Sequence, residues 1–325
     1  MRTSLSRSSR TQLSAALPIA LAMLLGSAPA LAAPPAKAAD AKPRSMQEII
    51  DASAPSDWRR IEPSNTLVMD LDAGRIVIEL APNLAPEHVA NIRTLAREGY
   101  WNGTSINRSQ DNFVVQWGDP AEDEAKRKPL GSAKAKLPAE FERVRPKGAS
   151  FDVLPDRDGW APQVGFVDGF PAGRDPATGT TWLAHCYGMV GAGRDIAADS
   201  SNGTELYVVT GQSPRQLDRN ITTVGRVVHG IEHLSTMPRG TGPLGFYEKP
   251  EQRTPIRTVR LGSELPETER MALEAMRTDT AAFTELVESR RNRRDDFYKR
   301  PAGHIDLCNV PLPVRVADAK TKGAK

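Results

Sequence analysis

Residues 103–120 read GTSINRSQDNFVVQWGDP and contain two short runs with strand character, 104–108 and 113–117. The polar residues at 109–112 are typical of a turn, so the two runs are predicted to form a hairpin. Arg108 stands on the first run, and Phe113, two valines and Gln116 stand on the second. Pairing of the runs would place a cation beside a small apolar pocket, and we expect the rest of the chain to build or address that site.

The first 32 residues have the pattern of an export signal rather than that of a folded element. Arg2, Arg7 and Arg10 precede an apolar run at 17–25 and a small-residue cleavage site at 30–32. The apolar run is too short to span a bilayer. We therefore predict a signal peptide over 1–32, a periplasmic or secreted location, and no membrane span after cleavage.

Charge and cysteine content limit the partners and the compartment. The chain of 325 residues has 43 Lys and Arg against 40 Asp and Glu, and loss of the three leader arginines leaves 40 of each sign. A net charge of zero removes the electrostatic argument for nucleic acid, so we predict no nucleic-acid partner. Cys186 and Cys308 either form one disulfide, as is common in exported proteins, or remain two buried thiols, and the sequence leaves both open.

The remaining chain divides into a linker, a core domain and a tail. Residues 33–63 are predicted to be a linker followed by a short helix, which Ser45 and Glu48 open with capping-box spacing. Strands are predicted at 66–71 and 75–80, and a helix is predicted from Pro86 to Gly99. Further strands are expected at 206–210, 224–228 and 256–261. Residues 143–181 and 238–254 are dense in Gly, Pro and polar residues and are predicted to be surface insertions. A helix is predicted over 267–298, with arginines at 290, 291, 293 and 294 on a solvated face near its end.

Two further motifs match patterns of a zinc peptidase and a dinucleotide-binding protein, but the residues around them do not fit those structures. His229 and His233 match an inverted zinc-peptidase pattern, which requires both histidines on one helix. Strand character runs into His229, so we expect it to end a strand while His233 lies on the next helix. Residues 240–245 match a dinucleotide fingerprint, but Pro243 lies inside the motif and no helix follows. We predict no metal site and no cofactor, and keep a zinc hydrolase as the weakest hypothesis.

Several stretches in order resemble the cyclophilin family of peptidyl-prolyl isomerases. Apart from 103–120, they are GMVGAG at 188–193, SNGTELYV at 201–208, Leu217-Asp218, VGRVVHG at 224–230, the hairpin and helix at 74–90, and the last strand at 256–265. The resemblance covers about 64–265. It implies a mainly β fold, a closed antiparallel β-barrel capped by helices, to which the two surface insertions and a helical C-terminal extension at 266–325 are added.

The resemblance also implies roles for individual residues. Arg108 matches the catalytic arginine of the family. The residues that match substrate-binding positions are Phe113, Val114, Gln116, Val190, Gly191, Glu205, Tyr207 and Leu217. Several positions depart from the family pattern: Ile106-Asn107 replaces Phe-His before the arginine, Glu205 replaces a glutamine, Gln216 a tryptophan and Ile221 a histidine.

The function implied is a peptidyl-prolyl cis-trans isomerase that assists folding of proline-containing polypeptide clients in the cell envelope. The alternative is a non-catalytic module of the same fold that binds proline-containing segments as a chaperone. The departures at Asn107 and Glu205 motivate that alternative, because Glu205 close to Arg108 would either orient its guanidinium or withhold it by pairing. The sequence indicates neither the oligomeric state nor the preferred residue before proline.

Overall fold

Strands dominate the described part of the chain, which in this computed structural model comprises residues 44–121, 123–146 and 148–317. The predicted signal peptide and the first part of the predicted linker lie outside it. The helices are α1 (Met46–Ala52), α2 (Pro86–Arg97), α3 (Glu232–Ser235) and α4 (Ala281–Arg291). The strands are β1 (Trp58–Arg60), β2 (Thr66–Asp70), β3 (Arg75–Leu80), β4 (Ser105–Ser109), β5 (Val114–Gly118), β6 (Arg143–Val144), β7 (Asp152–Leu154), β8 (Gln163–Val167), β9 (Phe170–Asp175), β10 (Thr180–Leu183), β11 (Met189–Ala192), β12 (Leu206–Val209), β13 (Thr223–His229), β14 (Thr254–Pro255), β15 (Thr258–Leu261), β16 (Leu273–Met276) and β17 (Val314–Val316).

The predicted helix starts are confirmed by their caps. The Ser45 hydroxyl accepts a hydrogen bond from the Glu48 amide, and the Glu48 carboxylate accepts one from the Ser45 amide, which closes the capping box of α1. Pro86 occupies the first turn of α2, where its missing N–H costs no hydrogen bond. Gly99 follows α2 with φ 67°, the left-handed conformation that ends helices.

One nine-stranded antiparallel sheet forms the body of the fold, in the order β14-β4-β5-β12-β11-β13-β3-β2-β15. Its two edge strands, β14 and β15, are consecutive parts of one segment. The first pairs with β4 and the second with β2, so the sheet curls until a single segment links both edges. This mainly β architecture agrees with the predicted fold class.

Alternation along the strands separates two apolar cores. On β5 and β12, Val115 and Val208 face the interior of the curled sheet, where α2 also packs. Val114 and Tyr207, the next residues along, face outward into a second core. Because successive side chains of a strand point to opposite faces, two neighbouring valines can serve two different cores.

The first insertion, predicted at 143–181 from its Gly, Pro and polar content, contains regular structure that this composition did not indicate. Most of it forms a five-stranded antiparallel sheet in the order β6-β10-β9-β8-β7, whose inner side fills the second core. The hairpin of β8 and β9 turns at Asp168 and Gly169, both with positive φ, and Asp-Gly is the sequence that favours such a turn. The apolar run at 163–167 and this turn were the signals for it.

The prediction of a helix over 267–298, and so of a helical extension over 266–325, is also wrong. Only α4 is an α-helix in the described part of that range, and Thr280 caps its start. The residues before it form β16, which pairs with β1 on one side and β17 on the other. Strand pairing with residues more than 200 positions away overrides the local helical preference. A disulfide joins Cys186 and Cys308 and ties the tail to the main sheet.

Among the described residues, no helix combines the length and the apolar character needed to cross a membrane.

Candidate functional site

An open cleft of about 760 Å³ lies over the outer ends of β4, β5 and β12. Most of the side chains that the sequence singled out line it. Those residues are Arg108, Phe113, Val114, Gln116, Glu205, Tyr207 and Leu217. We call Phe113, Val114, Tyr207 and Leu217 the apolar wall, and Asn107, Arg108, Gln116 and Glu205 the polar wall.

Val190 and Gly191 do not line the cleft. The Val190 side chain is fully buried inside the curled sheet. Gly191 lies beneath Tyr207, and a Cβ there would come within 2.2 Å of the tyrosine ring. The glycine therefore lets the ring lie flat against the backbone of β11. Their part in holding a substrate backbone stays a prediction.

A β-bulge aims Arg108 into the cleft. Ile106 pairs with Trp117 and Arg108 pairs with Gln116, so Asn107 is an extra residue on β4. A bulge re-aims the side chains that follow it, and here Ile106 faces the core while Arg108 faces the cleft.

Three oxygen acceptors hold the Arg108 guanidinium. Its Nε donates to the carbonyl of Leu244 at 2.7 Å, Nη1 donates to Oε1 of Gln116 at 3.0 Å, and Nη2 donates to Oε1 of Gln110. Burial lowers the pKa of Arg108, but a guanidinium remains protonated throughout the physiological range. The cation is thus permanent and held in one orientation.

The second insertion supplies part of this arrangement, which the sequence did not indicate. Besides the Leu244 carbonyl, it places the ring of Phe246 with its centroid 5.2 Å from the Arg108 guanidinium carbon. Phe113 lies 5.6 Å away on the hairpin. Contacts of this kind between aromatic rings and a cation stabilise the charge without using its N–H donors. No local pattern in 238–254 predicts this contact, because it depends on how the loop crosses β4.

Glu205 reaches Arg108 through Gln116. The Gln116 amide donates from Nε2 to the Glu205 carboxylate at 3.3 Å while its Oε1 accepts from Arg108. An ionised carboxylate accepts and does not donate, so it fixes which end of the amide faces the arginine. Glu205 therefore pairs with the glutamine rather than with the guanidinium.

The surroundings of Glu205 disfavour its charged form. Burial raises the pKa of Glu205 to about 7, and the negative charge of Asp119 acts in the same direction. Hydrogen bonds from Gln116, the Asp119 amide and Asn107 act in the opposite direction. Gly118 makes room for the carboxylate, since a Cβ there would lie 1.9 Å from Oε1 of Glu205.

A buried polar chain supports the apolar wall from behind. The Tyr207 hydroxyl lies 2.8 Å from Nε2 of His185, and Nδ1 of His185 lies 2.9 Å from Oδ1 of Asp218. Arg215 donates from Nε to the other Asp218 oxygen at 2.8 Å and forms two more bonds to Asp158 on the first insertion. With Nδ1–H facing the carboxylate, Nε2 accepts a hydrogen bond from the Tyr207 hydroxyl. Burial and the nearby Asp218 charge raise the pKa of Tyr207, which keeps the hydroxyl neutral.

Ile221 and Gln216, the other two departures from the family pattern, and the two histidines of the zinc motif lie in different parts of the structure. Ile221 lines the cleft, whereas Gln216 is exposed outside it. His229 ends β13 and His233 lies on α3, so the two belong to different elements. In the chain as described, no group of three or more His, Cys, Asp or Glu side chains is arranged to hold a metal ion.

The chain is similar to known proteins in sequence and in fold. Residues 66–261 match the family described as "Cyclophilin type peptidyl-prolyl cis-trans isomerase/CLD". The chain is 39% identical over 180 residues to a "Probable peptidyl-prolyl cis-trans isomerase" of Brucella suis biovar 1 (strain 1330), covering 55% of this chain and 74% of the relative. It is 28% identical over 216 residues to the human "Peptidyl-prolyl cis-trans isomerase-like 1", covering 66% and 98%. The crystal structure of cyclophilin AquaCyp293 from Hirschia baltica superposes with a TM-score of 0.64 at 27% identity, covering 81% of this chain and 96% of that one.

Proposed function

Because the chain belongs to the cyclophilin-type peptidyl-prolyl cis-trans isomerase family and is a rotamase of Xaa-Pro bonds, we propose that Arg108 accelerates that rotation. We further propose that its substrates are polypeptides folding in the cell envelope. The observation that carries the first proposal is the Arg108 guanidinium, held by three acceptors beside an apolar wall.

The reaction needs electrostatic help rather than a nucleophile. Resonance gives the Xaa-Pro bond partial double-bond character, and the barrier to rotation is about 18–20 kcal/mol. In the twisted state the prolyl nitrogen becomes pyramidal and regains its lone pair. A donor aimed at that nitrogen stabilises the twisted state more than either planar state, and this difference is what accelerates rotation.

Arg108 is equipped to be that donor. Its bonds to the described residues Leu244, Gln116 and Gln110 engage three of the five N–H groups of the guanidinium. These bonds leave one N–H on each terminal nitrogen unused, and we propose that one of the two donates to the prolyl nitrogen. Because the guanidinium is already oriented before substrate arrives, little reorganisation accompanies the reaction.

The apolar wall fixes the proline while the preceding residue turns. Val114 and Tyr207 are buried, and Phe113 and Leu217 are half-buried at the mouth of the cleft. Such a surface removes water from a pyrrolidine ring, and the lower local dielectric strengthens the field of the neighbouring arginine.

Replacement of Arg108 tests the mechanism. For Arg108→Ala we expect kcat/KM for cis-to-trans relaxation of an Ala-Pro tetrapeptide to fall at least about 100-fold, the loss typical of removing one oriented donor. For Arg108→Lys, which keeps the charge but loses the fork, we expect a fall of about 10-fold. Arg97→Ala, at an exposed arginine on α2, serves as the matched control and should match the wild type.

Equal rates for wild type and Arg108→Ala would refute the role of Arg108. Wild-type relaxation no faster than buffer would refute rotamase activity and favour a module that only binds proline segments.

Export is supported by two separate observations. The leader at 1–32 has the pattern of a cleaved signal. The Cys186–Cys308 disulfide fits an oxidising compartment, because disulfides rarely persist in the cytosol. We expect mass analysis of the native protein, recovered by cell fractionation, to find a chain beginning at Ala33 with the disulfide formed. A full-length, reduced chain in the cytosolic fraction would contradict the proposal.

A further inference from the structure

A second, open groove of about 610 Å³ lies beside the cleft, outside the polar wall and the apolar wall. Aromatic side chains on two segments flank it: Trp160 follows β7 on the first insertion, and Phe141 precedes β6. Gln216, Arg219 and Asn220 provide polar groups along its rim. The groove thus offers apolar surface together with amide groups and the Arg219–Glu142 ion pair.

Trp160 is exposed, yet it is firmly placed. Its side chain is 53% exposed, while the other four tryptophans of the chain are at most 7% exposed. Its amide donates to Oδ1 of Asp158 at 2.8 Å. The Asp158 carboxylate is itself buried and receives two hydrogen bonds from Arg215, the residue that also holds Asp218. A buried ion pair therefore fixes the backbone at Trp160, whose side chain faces solvent.

The groove and the cleft share a wall. Leu217 and Ile221 line the cleft, while Gln216 and Asn220, their neighbours in sequence, line the groove. A second link comes from Arg194, which lines the cleft and lies with its guanidinium carbon 5.4 Å from the ring centroid of Phe141 in the groove.

We propose that this groove binds the segment of a client polypeptide that flanks the proline held in the cleft, with apolar or aromatic client side chains packing on Trp160. This inference rests on the proposed function. Adjacent residues of a chain are 3.8 Å apart and an extended segment advances about 3.3 Å per residue, so a client leaving the cleft reaches the groove within a few residues.

The chemistry of the groove fits a polypeptide. Tryptophan is one of the residue types enriched among those that dominate binding energy at interfaces. The Gln216 amide both donates and accepts, as recognition of a peptide backbone requires. Asn220 donates from Nδ2 to the carbonyls of Gln216 and Asp218, so it offers its Oδ1 as an acceptor. Through this groove the chain would prefer long, unfolded clients over short peptides that fill only the cleft.

The test compares substrates of two lengths with the same Ala-Pro bond. One is a tetrapeptide, and the other is a dodecapeptide with leucine and phenylalanine on both sides of that bond. For Trp160→Ala we expect kcat/KM on the dodecapeptide to fall about 5- to 20-fold, mainly through KM, because a contact residue of this type dominates binding. The tetrapeptide rate should stay within about twofold of wild type, which also shows that the variant is folded.

Two further variants sharpen the comparison. Trp160→Phe keeps an aromatic surface and should retain most of the efficiency on the dodecapeptide. Phe297→Ala removes an aromatic that is also exposed but lies outside the groove, and should change neither rate. In wild type, the dodecapeptide should protect Trp160 fluorescence from acrylamide quenching, whereas the tetrapeptide should not.

Equal efficiency of wild type and Trp160→Ala on the dodecapeptide would overturn the proposal. The proposal would also be overturned if Trp160→Ala sedimented as a smaller species than wild type while its kcat/KM on the dodecapeptide stayed the same. That result would assign the groove to contact with a second copy of the chain. Neither result touches the tetrapeptide rate, so a failure of this inference is distinguishable from a failure of the proposed function.

Discussion

The two walls of the cleft are built by different rules. The apolar wall consists of side chains on β5 and β12, of Phe113 directly before β5, and of Leu217 at the end of a 3₁₀-helix (Ser213–Leu217). Strand alternation or local turn geometry sets the position of each. The polar wall depends on its members holding one another. Glu205 orients Gln116, Gln116 orients Arg108, and the loop at 238–254 completes the set through Leu244.

This difference determines how each wall responds to change. Loss of one apolar side chain removes area and leaves a cavity, but the others keep their places. Loss of one polar partner alters the orientation or protonation of the next, because a hydrogen-bonded network is coupled. Substitutions in the apolar wall are therefore expected to lower the stability of the protein and change the shape of the cleft. Substitutions in the polar wall are expected to change the pH dependence of activity and the orientation of Arg108.

The largest effect is expected on the apolar wall, at Tyr207. Tyr207→Ala removes a buried ring over Gly191, and we expect the free energy of unfolding to fall by about 3–5 kcal/mol, as for other aromatic-to-alanine changes in cores. Tyr207→Phe keeps the ring but leaves Nε2 of His185 with only the Thr223 hydroxyl, 3.4 Å away, which should cost about 1 kcal/mol. Urea unfolding measures both values.

Activity separates the ring from the hydroxyl. If the ring is what holds the proline, Tyr207→Phe retains tetrapeptide kcat/KM within about threefold, while Tyr207→Ala loses about 10- to 100-fold where it is still folded. An equal loss in both variants would show that the hydroxyl and its buried chain matter for the reaction, and the contrast between the walls would not hold.

Local signals predicted the elements around the apolar wall, whereas Tyr207 and Leu217 were expected there only from the resemblance to the family. The runs at 66–71 and 75–80 became β2 and β3, and the hairpin of 103–120 became β4 and β5 with boundaries one residue away. These elements could be predicted because residue alternation, helix caps and turn residues are local features of the sequence. The predicted hairpin also placed Arg108 and Phe113 next to each other in the cleft.

The parts that were missed depend on distant partners. β16 forms because β1 and β17 lie on either side of it, which a helical pattern at 267–298 does not reveal. Arg291, predicted on a solvated face, instead pairs with the buried carboxylate of Asp156 on the first insertion. Leu244 and Phe246 reach Arg108 only because a loop returns across β4. The bulge at Asn107 likewise appears only once β4 and β5 are paired.

A smaller effect is expected on the polar wall, from the charge of Glu205. Its pKa is raised to about 7 in the folded chain from an ordinary value of 4.5. Between these two pH values the folded state binds more protons than the unfolded state, so stability falls as the pH rises through that window and stays lower above pH 7. Glu205→Gln mimics the protonated acid. We expect it to be more stable than wild type at pH 8 by on the order of 2 kcal/mol, and equal to wild type at pH 4.

Unfolding in urea at pH 4, 6 and 8 measures this difference. Glu251→Gln, at an exposed glutamate, is the matched control and should follow the wild-type pH dependence.

The Glu205→Gln variant also tests whether Glu205 acts on Arg108 through Gln116. In wild type, ionisation of Glu205 near pH 7 fixes the Gln116 amide with its oxygen toward the arginine, so tetrapeptide kcat/KM should change between pH 6 and 8, whereas Glu205→Gln should show a flat profile. Parallel pH profiles in both proteins would mean that Glu205 does not act through Gln116, and the polar wall would then be a set of independent groups like the apolar one.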